Sequence, residues 1–186
     1  MKINLTLLTN NYLNLFQDES DVLSLFIKQI EENQDILNRK NFKGHVTASG
    51  LIISADKKIL VVFHNKLQKY LPPGGHIEVL DKSIIASAKR EAIEETNLTK
   101  IKLHDWCLHN NSPILIDTHK IPKNKSTNEN SHFHHDFMFI FNTLETDIFL
   151  NKNEASDYIW MDINNLTKGN SNISTALKKM IILNLI

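Results

Sequence analysis

The chain has 186 residues, and its 21 Lys+Arg balance its 21 Asp+Glu for a formal net charge of +0, which argues against a protein that holds nucleic acid by bulk electrostatics. A hydrophobic fraction of 41% against 23% charged residues excludes an intrinsically disordered chain, and the length suits one domain whose core needs no disulfide staples. Cys107 is the only cysteine, so neither an intramolecular disulfide nor a cysteine-based zinc site can form.

Asn4 and Thr6 interrupt the first apolar residues, so no signal-peptide core is expected. No stretch approaches the ~18 apolar residues of a membrane span, and the expected location is the cytoplasm. Residues 1–43 read as an N-terminal helical extension and residues 44–186 as the main domain. In the extension, Asp18, Glu19 and Ser20 are placed to cap a helix carrying Val22, Leu25, Phe26 and Ile30 at helical spacing.

The texture changes at Gly44. Val46 to Ser54 and Lys58 to His64 read as strands joined by a turn over Ala55 to Lys57. Leu71-Pro72-Pro73-Gly74-Gly75 fits neither a helix nor a central strand. A helix follows over about Ser83 to Thr96, with Asn97 where a left-handed C-cap is tolerated. Ile101 to Leu108 and Ser112 to Ile116 read as strands, Pro122 to Ser131 as a polar loop and Phe137 to Phe141 as a buried strand. Ser171 to Leu185 closes the chain as a helix with Ile173, Ala176, Leu177, Met180 and Ile181 on one stripe. Strands interleaved with helices make this an α/β protein with a mixed sheet.

The helix from Ser83 carries the chemistry. At ~100° per residue, Glu91, Glu94 and Glu95 fall within an arc of about 100°, beside an apolar strip of Ile85, Ala88 and Ala92. Glu91 and Glu95 are like charges at i, i+4, which destabilise an isolated helix; Arg90 stands at i−4 from Glu94. A solvated acidic face is the commoner explanation of such a pattern. Three carboxylates beside a glycine-proline turn are also what Mg²⁺, or Mn²⁺, takes as ligands.

Gly75 through Leu98 resembles the Nudix box, G-x5-E-x7-R-E-U-x-E-E-x-G-U, with U a bulky apolar residue. Gly74-Gly75, Arg90-Glu91, Glu94-Glu95 and Leu98 carry the match. The resemblance extends over about residues 44 to 166. Gly44 to Ser49, His64 to Lys66, Pro73 to His76, Ile116 to His119 with Ile121-Pro122, and His132 to Asp136 look like one bacterial subgroup of the family. It implies an α/β/α sandwich and hydrolysis of a nucleoside diphosphate linked to a further group. It also implies that Glu91, Glu94 and Glu95 bind the cation, helped by a backbone carbonyl near Gly75, and that Arg90 orients the glutamates. The departures are three. The first box glutamate is replaced by Asp81, with one extra residue before Arg90; the box glycine is Asn97; and Ala92 is smaller than the usual apolar residue.

The histidines add a second theme. In a strand, His132, His134 and Asp136 point to one face and His135 to the other. This group reads either as a second metal site or as donors to a substrate phosphate, against a polar loop end ahead of the buried strand. His76, directly after the glycine pair, either hydrogen-bonds near the phosphates with Gly74 and Gly75 or makes a structural bond. The resemblance alone suggests that Asp117 and His119 join the same pocket. Tyr70 and Trp106 are either base-stacking or core aromatics, and Cys107 reads as a buried apolar residue.

The expected partner is a small nucleoside diphosphate derivative chosen by the loops around Leu67 to Leu71 and Pro122 to His135. A ligand-binding module of the same fold without turnover is the alternative. Pairing through residues 1–43, a homodimer included, is compatible with either.

Overall fold

The computed structural model describes residues 3–123 and 129–186. Part of the polar loop expected over 122–131 therefore lies outside the described residues. Asn4 accepts from Leu7 N–H at 3.0 Å and starts α1 (Leu5–Leu15), and α2 follows (Ser24–Glu31). The helix expected to be capped at Asp18 to Ser20 begins later. Gln17–Glu19 form a 3₁₀ turn, and Leu23 precedes α2 without a side-chain cap bond. Helix α1 has weak sequence periodicity; it is held by tertiary packing, since Leu8 and Tyr12 are buried in the same core as the sheet.

The sheet contains β1 (His45–Ser54), β2 (Lys58–His64), β3 (Lys69–Leu71), β4 (Gly74–His76), β5 (Ile101–Leu103), β6 (Leu115–Ile121), β7 (His132–Thr143) and β8 (Ala155–Asp162). Its path is β3-β2-β1-β7-β5, with β4 on β1, β6 on β7 and β8 on β2. The β1–β7 pair is parallel and the other pairs antiparallel, so the sheet is mixed. The prolines interrupt the ladder as expected, yet Gly74 to His76 immediately resumes it against Thr47 to Ser49.

Helix α3 (Ile84–Thr96) starts at Ser83, which accepts from Ala86 N–H at 3.0 Å. It ends at Asn97 in the left-handed region, φ 57°, as the sequence suggests. Ala88 and Ala92 are fully buried. A Cβ on Gly50 would meet Ala92 at 3.6 Å and Phe141 at 3.2 Å, so the small residue at 92 permits close helix–sheet approach.

The expected strand over Ile101 to Leu108 stops at Leu103. His104 Nδ1 accepts from Trp106 N–H at 3.1 Å and caps α4 (Asp105–Asn110). The strand expected over Ser112 to Ile116 starts at Leu115 and continues to Ile121. The strand expected over Phe137 to Phe141 is longer and takes in the histidines from His132, so those histidines are ladder residues and not a loop end.

A short helix, α5 (Ile163–Leu166), leads to α6 (Asn172–Ile182), which Ser171 caps. Side-chain alternation sorts the sheet faces. Helices α2 and α3 cover the face carrying Gly50, His135, Phe137 and Phe141, through Phe26 and Ala92. Helix α6 meets the opposite face, where Asn172 Nδ2 donates to Asp117 at 2.7 Å. Among the described residues no helix is long and apolar enough to cross a membrane.

Candidate functional site

The last turns of α3 hold three carboxylates in different environments. Glu95 is buried, Glu91 half-buried and Glu94 exposed. Burial pushes the Glu95 carboxyl up to about 8, and repulsion from Glu154, Glu91 and Glu94 adds to it; its one hydrogen bond, from Gly74 N–H, is 3.5 Å long. Burial also raises the Glu91 carboxyl, against the pull of Arg90. These are desolvated, mutually repelling acids short of positive charge, the condition that a bound cation relieves.

Arg90 organises what surrounds them. Its Nε and Nη2 donate to Asp81 Oδ1 and Oδ2 at 3.1 and 3.0 Å. Its Nη1 donates to Glu91 and Glu94, both at 2.9 Å, and its Nη2 to the His76 carbonyl at 2.8 Å. Asp81 therefore reaches Arg90 across the loop, whereas Lys82 stays exposed. A tight turn compensates for the extra residue: Asp81 N–H donates to the Glu78 carbonyl at 3.0 Å, and Glu78 N–H to Asp81 Oδ2 at 2.8 Å. Burial opposes ionisation of Asp81, yet the Arg90 and Glu78 hydrogen bonds hold its carboxyl below the usual range.

The glycine pair is explained by space, since no glycine here has positive φ. A Cβ on Gly75 would lie 2.6 Å from the Glu91 carboxylate, and one on Gly74 2.6 Å from Ser49 Cβ and 2.7 Å from the Ala48 carbonyl. The open space at Gly75 lets Glu91 lie against β4. Strand β4 thus touches all the parts: Gly74 N–H meets Glu95, Gly75 meets Glu91, and the His76 carbonyl meets Arg90.

The His76 ring lies elsewhere, among the histidines of the opposite sheet face. The register sets His45 beside His134 and Thr47 beside both Asp136 and His76. The His45 ring centroid is 4.7 Å from His134, 4.9 Å from His132 and 5.1 Å from His76. One nitrogen from each of His45, His76 and His134 lies within 4.8 Å of the others. Burial, with repulsion from neighbouring positive groups, pushes His76 down to about 3 and His134 down to about 2. Asp136 accepts from Thr47 at 2.9 Å and Ser49 at 2.5 Å. Asp117 and His119 border this face, with His119 Nδ1 donating to Asp117 Oδ2 at 2.6 Å and its ring 5.8 Å from His134.

His135 does point the other way. It is fully buried, with Nε2 2.9 Å from Gln29 Oε1 and Nδ1 2.9 Å from Thr118 Oγ1, and it is structural. Trp106 packs on Phe16 and the core, whereas Tyr70 packs on Phe63 and donates to Asp157 at 2.5 Å. Cys107 is buried, and desolvation pushes its thiol up to about 11. Sequence reasoning gives two residues, Glu154 and His45, no individual role. Glu154, just before β8, acts electrostatically on both Glu91 and Glu95; a lone acid 59 positions from Glu95 carries no local signal. His45 was noted only within a resembling segment, and its role depends on the β1–β7 register.

The NUDIX domain family matches residues 43–180. Among solved structures, a hydrolase of the NUDIX family from Clostridium perfringens is similar, at 25% identity and a TM-score of 0.52, over 75% of this chain and 97% of that one. A C. elegans Ap4A hydrolase binary complex is similar at 20% identity and a TM-score of 0.53, over 75% and 97%. The NUDIX domain of Shewanella oneidensis NrtR complexed with ADP ribose is similar at 12% identity and a TM-score of 0.52, over 86% and 98%. No curated protein sequence matches the chain.

Proposed function

The chain belongs to the NUDIX domain family, a hydrolase acting on pyrophosphate bonds, and we propose that it cleaves a nucleoside diphosphate derivative with the help of a divalent cation. The observation that carries the cation is the placement of buried Glu95 and half-buried Glu91 beside Gly75, with the Arg90 guanidinium shared among Asp81, Glu91 and Glu94. Glu91, Glu94 and Glu95 would hold Mg²⁺ or Mn²⁺, with the Gly75 carbonyl assisting and Glu154 adding negative charge. A cation bound there neutralises the diphosphate and lowers the pKa of water.

The chain's own residues supply orientation. Arg90 holds Glu91 and Glu94 from one nitrogen and is itself anchored by Asp81. Glu95 is shielded from solvent, and a cation bound there would offset the burial and carboxylate repulsion that otherwise favour its protonated form. Gly74 and Gly75 bring β4 close against β1 and Glu91, while the His76, His132 and His134 rings lie on the opposite face of β4.

The solved neighbours include an Ap4A hydrolase and a domain complexed with ADP ribose, so both compounds belong in the assay panel. With Mg²⁺ or Mn²⁺, at least one nucleoside diphosphate derivative should release nucleoside monophosphate. Glu95→Gln should reduce turnover by about 1,000-fold, within the range for losing a positioned acid–base group, with the thermal midpoint retained. Near-wild-type turnover in Glu95→Gln at saturating Mg²⁺ would overturn the assignment.

A further inference from the structure

We infer that His45, His76 and His134 form a second metal site, separate from the carboxylate cluster, that takes one transition-metal ion of the Zn²⁺ class through three imidazole nitrogens. Three strands supply the rings: β1, β4 and β7 bring His45, His76 and His134 to one sheet face, with one nitrogen of each within 4.8 Å of the others. Tetrahedral zinc at about 2.0–2.1 Å from each nitrogen needs closer approach, so binding would draw the half-buried His76 and His134 rings inward.

The orientation of His45 is the independent observation. Its Nδ1 is 3.1 Å from the Asn41 carbonyl, so Nδ1 carries the hydrogen and donates. The lone pair is then on Nε2. That atom is buried and has no hydrogen-bond partner, alone in this respect among the side-chain nitrogens and oxygens of the described residues. A buried acceptor without a donor is destabilising, and a metal ion bound to it removes that cost. A backbone carbonyl that fixes one ring nitrogen while the other faces inward is how proteins orient histidine ligands.

His132 has the same arrangement one layer out. Its Nδ1 donates to the Asn130 carbonyl at 2.8 Å, which leaves the Nε2 lone pair to accept from His134 Nε2–H at 3.1 Å. His134 Nδ1 is then unprotonated. His132 is thus an outer partner that sets the His134 tautomer. Neutral nitrogen donors without a thiolate or carboxylate among them favour zinc, nickel, copper or cobalt over magnesium.

This site does not rest on the hydrolase assignment, because its occupancy is measured without substrate. The full chain, stripped with EDTA and dialysed, is titrated with Zn²⁺ by calorimetry alongside Glu91→Gln/Glu95→Gln and His134→Gln. One tight Zn²⁺ per chain is expected in the double glutamate variant, and the same tight event in the wild type, where any additional Zn²⁺ taken by the carboxylates disappears in that variant. His134→Gln should weaken binding by at least about 100-fold, the upper end of the loss from removing an outer partner. Absence of stoichiometric Zn²⁺ binding in the wild type, or binding lost in the glutamate variant and kept in His134→Gln, would overturn the inference. Since a ring deletion can disturb the fold, Co²⁺ added to the unaltered chain is a second measurement. Intense visible bands of low-symmetry, four-coordinate cobalt are expected, and the weak bands of octahedral cobalt alone would count against the site.

Discussion

Arg90 and Asp81 form a two-point pair, with Nε and Nη2 of the guanidinium donating to the two carboxylate oxygens at 3.1 and 3.0 Å. The remaining Arg90 nitrogen is thereby aimed at Glu91 and Glu94. A lysine ammonium is a point charge and cannot reproduce this planar fork. Arg90→Lys should therefore lower kcat by about 100-fold, the scale of a misplaced reacting geometry, with a much smaller change in KM. Asp81→Asn should do the same to a lesser degree, and Asp81→Glu should recover part of the loss. Steady-state kinetics on the three variants test the positioning role; full activity in Arg90→Lys would refute it.

The glycine pair separates two effects. At Gly75 the atoms nearest an added Cβ are the end of the Glu91 side chain, which can swing away. Gly75→Ala should leave the thermal midpoint nearly unchanged while displacing Glu91 and cutting turnover by about 100-fold. At Gly74 the Cβ meets Ser49 and the Ala48 carbonyl, which are fixed by the β1–β4 ladder. Gly74→Ala should cost about 1–3 kcal/mol of stability, the usual penalty of overpacking. Denaturant melts and kinetics on both variants check the contrast.

Lys179 ties the N-terminal helices to the last helix. Its Nζ lies 2.7 Å from Glu19 Oε1, 2.5 Å from the Tyr12 hydroxyl and 3.9 Å from the Phe16 ring centroid. Tyr12 also donates to Glu19. Lys179→Ala should destabilise the chain by about 3 kcal/mol, since it strands a partly buried acid. Glu19→Gln/Lys179→Met, which removes both charges, should cost less. Urea unfolding of the single and double variants decides it.

His104 gives a pH-dependent helix cap. Burial holds its ring below the usual histidine value, and the neutral Nδ1 accepts from Trp106 N–H. A depressed folded pKa means that the unfolded chain takes up the proton first. The cap's contribution is then complete above about pH 6.5 and is lost as pH falls through the folded pKa. His104→Asn keeps an acceptor at the N-cap without titrating. The stability gap between variant and wild type should shift in favour of the variant on going from pH 7.5 to pH 5, measured by urea melts at both; an unchanged gap would refute the titrating cap.

Much of the carboxylate site was legible in the sequence because it lies on one helix and the turn before it. Helical spacing gathers Glu91, Glu94 and Glu95, Ser83 and Asn97 mark the ends, and Arg90 reaches Glu94 within one turn. Spacing did not reveal whether Asp81 reaches Arg90, because that depends on the turn closed by Glu78. Helix α4 was read as strand because His104 is an uncommon N-cap and the segment is short. Helix α1 falls within the stretch expected to be helical, but its bounds carry no local signal because it is held by contacts with α6, such as the Tyr12–Lys179 bond between residues 167 positions apart.

The sequence by itself determined the α/β class, the acidic helix with its caps, and the alternation that puts His132 and His134 on one face and His135 on the other. Those properties follow from local backbone periodicity. Only the tertiary structure decided that parallel pairing of β1 with β7 brings His45 to His134, that β4 adds His76, and that Glu154 acts on Glu91 and Glu95. Strand register and chain crossing bring together residues far apart in sequence, and no local periodicity encodes them. The balanced charge of the whole chain accordingly hides two unlike centres, one of repelling carboxylates and one of neutral imidazoles, on opposite sides of β4.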